Sequence, residues 1–109
     1  MATVTQGDLK YDAELKSLKE SLDLYETQHT GAKADLYRYN SASIRLRVID
    51  TRFEGMTKSS RHADVWKFLA SRVNEDTLAE VSLLLLVAPA ELHNSFANLE
   101  FEEPSRSTL

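Results

Sequence analysis

The segment Val81-Ser-Leu-Leu-Leu-Leu-Val87, closed by Pro89, constrains this chain more than any other feature. It is far shorter than the roughly 20 residues a membrane helix needs. Pro89 also stops it before a buried helix could complete itself. A continuous apolar run of strand length predicts a central, well-covered strand. The rest of the chain must then supply neighbouring strands and the helices that cover them.

The remaining patterns supply both. Tyr11, Leu15, Leu18, Leu22 and Tyr25 recur at spacings of 4, 3, 4 and 3, which predicts a helix over about Asp8 to His29. Asp8 is its expected N-cap and Gly31 its expected stop. Ala34–Tyr39 and Ile44–Asp50 read as strands joined by the turn Asn40–Ser43. In the second of these, Ile44, Leu46 and Val48 share one face, and Arg45 and Arg47 the other. The register of the first strand decides where its tyrosines go. Pairing Tyr39 with Ile44 sends Tyr37 and Tyr39 to the core, which is the expected case. A one-residue slip puts them beside the arginines, as an aromatic-plus-Arg platform. Thr57, Ser59 and Ser60 are candidate caps for a second helix over about Ser59 to Arg72. Its apolar stripe is Val65, Phe68, Leu69 and Val73, widened by Trp66 and Ala70. Asn74–Leu78 reads as a turn or a single helical turn, and Pro89 suits the start of a short helix to about Phe96. The expected fold is a single α+β domain over residues 1–109, of order α-β-β-α-β(-α). A three-stranded mixed sheet carries both helices on one face. The ordered core spans about 8–103, with residues 1–7 and 104–109 frayed.

The 109 residues contain no cysteine. Disulfides, Cys-ligated zinc or iron–sulfur centres and a thiol nucleophile therefore lie outside the chain's own means. The N-terminal residues carry no basic-then-apolar leader pattern, so a soluble cytoplasmic protein is expected. The net charge of -4 is segregated: residues 1–32 carry -3, residues 33–72 carry +5, and residues 73–109 carry -6. A basic middle between acidic ends either meets an anionic partner or pairs with its own ends.

Between the second strand and second helix lies Arg52-Phe-Glu-Gly55, then five residues, then Arg61-His62. This run resembles the R-F-E-G-x5-R-H signature of the BolA family. Ile44–Ile49 is similar to that family's second strand, and Val81–Ala88 with Pro89 and Glu91 to its last strand and turn. The resemblance covers about residues 34–92 and implies a fold related to the type II KH domain. It implies an adaptor that partners a monothiol glutaredoxin and shares a [2Fe–2S] cluster, with His62 as a ligand. The family's second ligand sits in the loop between its first two strands. Here Asn40–Ser43 is a tight turn with neither His nor Cys. His29 and His93 lie elsewhere in the chain.

Read from the residues themselves, Phe53 anchors the loop in the core and Gly55 takes a positive φ. Arg61 pairs with a carboxylate, Glu54 or Asp64 being the candidates, or contacts a phosphate. His62 packs on Trp66 or binds a metal, and Trp66 is core or an interface anchor. Arg45, Arg47, Arg52, Lys58 and Arg61 form a candidate partner or nucleic-acid patch, although Gly55-Met-Thr-Lys58 lacks the second glycine of a G-x-x-G clamp. Asp50 and Glu54 beside His62 are the nearest thing to an acid–base cluster. No phosphate loop, dinucleotide fingerprint or nucleophile elbow is present, so no enzyme and no cofactor of its own is expected. Three readings stand: a protein-binding adaptor, a nucleic-acid module, and a homo-oligomer joined through its apolar strand edge or first helix stripe.

Overall fold

The computed structural model describes residues 1–92 and residue 101. The order is β1 (Thr3–Gln6), α1 (Ala13–Gln28), β2 (Lys33–Asn40), β3 (Ser43–Ile49), α2 (Lys58–Ala70), α3 (Glu75–Ala79) and β4 (Val81–Val87). Single 3-10 turns follow β3 at Thr51–Phe53 and β4 at Pro89–Glu91.

The sheet has four strands in the order β1-β2-β3-β4, one more than expected. The hairpin β2–β3 is antiparallel, and the crossover through α2 and α3 sets β4 parallel to β3. The added strand is β1, parallel to β2, in a segment expected to fray. Ala2 is buried and its N–H donates to Asp23 of α1, which fixes the strand in place. β4 has the predicted bounds but lies at an edge, not at the centre.

Both long helices cover one face of the sheet. Leu15, Leu18, Leu22 and Tyr25 of α1 and Val65 and Leu69 of α2 pack on Leu36, Ile44, Leu46, Val48 and Leu86. The stripe begins at Leu15 rather than Tyr11, because the N-cap is Asp12, whose carboxylate accepts from Leu15 N–H, and not Asp8. Tyr11 precedes the helix and is 79% exposed. In α2 the cap is Thr57. Asn74 caps α3, so the expected turn is one short helix.

The register of β2 is the slipped one. Tyr37 stands opposite Arg45, and Asp35 opposite Arg47, so Tyr37 and Tyr39 lie on the arginine face and not on the helix face. Leu36 has taken the core position. Tyr37 is still fully buried, its ring meeting Phe101 edge-on at 5.3 Å. The calls on His93, on the rest of the Phe96–Glu103 segment and on the 104–109 tail fall outside the described residues.

Candidate functional site

The site is built from the loop that leaves β3. Asp50 ends the strand and caps the 3-10 turn by accepting Arg52 N–H. The buried Tyr25 hydroxyl donates to Asp50 Oδ2 at 2.8 Å and accepts from Arg52 Nη2 at 2.9 Å. Burial, and the neighbouring Asp50 carboxylate, hold the Tyr25 phenol in its protonated form above the usual tyrosine range. Arg52 continues to Asp64 on α2 at 2.6 Å. One guanidinium thus ties α1, the loop and α2 together. Phe53 is fully buried beneath it, and Gly55 turns the chain with φ +78, a conformation that favours glycine.

Arg61 leaves the first turn of α2 and points inward. Its side chain is 7% exposed and makes a bidentate pair with Glu91 at 2.6 and 2.9 Å. It also donates to Leu86 O and Met56 O, both at 3.1 Å. The carboxylate partner is therefore Glu91, thirty residues on, and neither Glu54 nor Asp64. The guanidinium lowers the Glu91 pKa to about 2, and Ala88 N–H adds a hydrogen bond to the same carboxylate.

His62, the next residue, points the other way. It is exposed, and its ring stacks on half-buried Trp66 with centroids 5.4 Å apart. Beside it a cleft of about 560 Å³ opens between the first turn of α2 and β4, lined by Met56, Lys58, Arg61, His62 and residues 84–87. Lys58 is exposed at the rim.

The other basic candidates are distributed. Arg47 is buried against Asp35 at 2.6 Å, and Arg45 lies over the Tyr39 ring at 3.7 Å, on the sheet face away from the helices. Arg52 serves the loop. The basic middle pairs with the acidic ends: Arg61 with Glu91, and Arg38 with Asp12 and Glu80. His29 stacks on Tyr25 at the end of α1. The structure therefore brings Lys58, Arg61 and His62 together at one cleft and places Arg45 and Arg47 on a separate face. Glu91 and Tyr25 were not singled out as site residues in the sequence; Asp50 was, with Glu54 beside His62, and it is buried and hydrogen-bonded to Tyr25 and Arg52 N–H. Only the position of Glu91, two residues past Pro89, signalled that it belongs to the turn beyond β4.

Iron–sulfur clusters are held mainly by cysteine thiolates. This chain has none. Among the described residues no three His, Asp or Glu side chains converge to hold a metal. His62 is a single donor, so these residues do not fit a cluster of the chain's own. The β2–β3 turn leaves only Ser41 and Ala42 between the strands and adds no ligand. Among the described residues no helix is long and apolar enough to cross a membrane. No family model, curated protein or solved structure matches the chain.

Proposed function

We propose that this protein is a non-catalytic adaptor of BolA-like type that receives a protein partner at the cleft beside His62. One observation carries the reading. Of the motif residues, Phe53 and Arg61 are buried, and Arg52 and Gly55 shape the loop, the one through its ion pair to Asp64 and the other through a positive φ, while His62 stands exposed at the cleft, stacked on Trp66. An exposed imidazole at the mouth of a cleft, stacked on an aromatic ring, is oriented for a partner rather than for packing. With β1 and α3 set aside, the remaining order α-β-β-α-β is the one the resemblance implies, and β1 is an addition to it.

The partner class that the resemblance implies is a monothiol glutaredoxin. All sulfur for a shared [2Fe–2S] cluster would come from that partner, with His62 as this chain's single contribution. Co-expression with a monothiol glutaredoxin followed by affinity purification and a visible absorption spectrum tests this. The expected result is a stable complex with a cluster band that His62→Ala abolishes. Absence of the complex overturns the adaptor reading, and a colourless complex removes its iron–sulfur part.

A second reading, a nucleic-acid module, is favoured by the Arg45–Tyr39 stack on the sheet face away from the helices. A gel shift with single-stranded RNA at low salt tests it, and no shift there rejects it.

A further inference from the structure

We infer that the cleft takes an extended acidic peptide of a protein partner, added as a fifth strand on the outer edge of β4. The inference rests on the adaptor reading only in placing a partner at this cleft, and it needs no metal. No described strand pairs with the outer edge of β4. The direction of its backbone groups follows from two bonds. Val87 O accepts from Asp50 N–H at 3.0 Å, so it faces β3. Leu86 O faces outward and is held by Arg61 Nη1, and the two-residue period of a strand turns Leu84 the same way, so Leu84 O is the edge acceptor left for an added strand.

Edge strands are usually blunted by charge, proline or a bulge. Between Val81 and Val87 there is neither charge nor proline. The register irregularity falls at Ser82, near the start, and leaves Leu83–Val87 regular. The cleft runs along this stretch with the first turn of α2 as its other wall. A strand edge that no described strand covers at Leu83–Leu85, facing a helix across a groove, is the geometry of peptide recognition by strand addition.

Charge selects the occupant. Both carboxylate oxygens of Glu91 are held by Arg61, which leaves the exposed ammonium of Lys58 and the imidazole of His62 at the mouth. Alternate side chains of an added strand point to one side. Acidic ones there meet Lys58, and apolar ones meet Met56 and the leucines.

The test is an amide-shift titration of the isotope-labelled full chain with a blocked hexapeptide alternating glutamate and valine. A second hexapeptide carries lysine for glutamate. The glutamate peptide is expected to shift the amides of Leu84 and Leu86 and to bind at least about tenfold more tightly than the lysine peptide. Lys58→Glu, an exposed change that leaves the fold intact, is expected to reverse that order. Methylating alternate peptide nitrogens on the glutamate peptide is expected to weaken binding by at least about tenfold, because it removes the ladder donors. No shift at millimolar peptide, equal response to both peptides, or shifts confined to the Tyr39–Arg45 face overturns the inference. So does self-association of the free chain through the Leu84 and Leu86 amides, which would give the edge to a second copy. A glutaredoxin complex that forms in the absence of peptide binding leaves the adaptor reading standing. Peptide binding without that complex leaves this inference standing.

Discussion

The two ends of the sheet use the same device to opposite effect. At one end Arg38 of β2 sits between Asp12, the cap of α1, and Glu80, the residue before β4. It binds Asp12 through Nε and Nη2 and also reaches the carbonyls of the β2–β3 turn. At the other end Arg61 joins Glu91 to Leu86 and Met56, yet the next side chain, His62, stands in solvent above an open cleft. A partly buried arginine closes the structure in both places. Only at the second end does the closure support something further. The contrast separates residues that hold the fold from residues the fold holds out.

Removing each arginine is the strongest way to break the comparison. Arg61→Ala removes a buried guanidinium and leaves the buried Leu86 carbonyl and the Met56 carbonyl without their donor, and is expected to cost about 2–4 kcal/mol. Arg38→Ala should cost less, about 1–3 kcal/mol, because Arg38 is the more exposed arginine and the Ser41 carbonyl it reaches is open to water, whereas the Leu86 carbonyl held by Arg61 is buried. Urea denaturation of both variants checks the order. Gly55→Ala is expected to cost about 1 kcal/mol by the same measurement: φ is +78, while an added Cβ meets nothing within 4 Å, so only backbone strain is at stake.

Acid titration sharpens the contrast further. Glu91 has its pKa lowered from the ordinary 4.5 to about 2, chiefly by its hydrogen bonds to Arg61. A carboxylate lowered on folding stabilises the folded state above its ordinary value and loses that contribution as pH falls through the folded one. Denaturation midpoints should therefore fall between about pH 4.5 and 2, and Glu91→Gln should flatten that slope. Asp12 is lowered by its hydrogen bonds to Arg38, so Asp12→Asn should flatten the share that belongs to the other end. Equal slopes in wild type and both variants would contradict the pairing.

How much of this was legible depended on how local each signal was. Leu15, Leu18, Leu22 and Tyr25 repeat within one helix, and Val81–Val87 fills one strand, so both elements could be read directly. The positive φ at Gly55 and the burial of Phe53 followed from one motif. β1 was missed because Thr3–Gln6 offers four residues with a single aliphatic side chain, Val4; its stability comes from pairing with β2, thirty residues away. The β2 register turned on one residue of slip. Leu36 and Tyr37 are both β-prone and both buried, on opposite faces, so the pattern alone could not choose. Glu91 escaped as the partner of Arg61 because a long-range ion pair leaves no trace in spacing, and nearer carboxylates competed for the assignment. The arginines looked alike in sequence. Only the fold separates Arg61, turned inward, from Lys58, left at the rim.

The central claim is that Arg61 belongs to the fold and His62 to a partner. Parallel urea denaturation of Arg61→Ala and His62→Ala tests it directly. The account predicts a loss of about 2–4 kcal/mol for Arg61→Ala and a change within about 0.5 kcal/mol for His62→Ala. A His62→Ala variant destabilised as much as Arg61→Ala would make the exposed imidazole a structural residue and contradict the account.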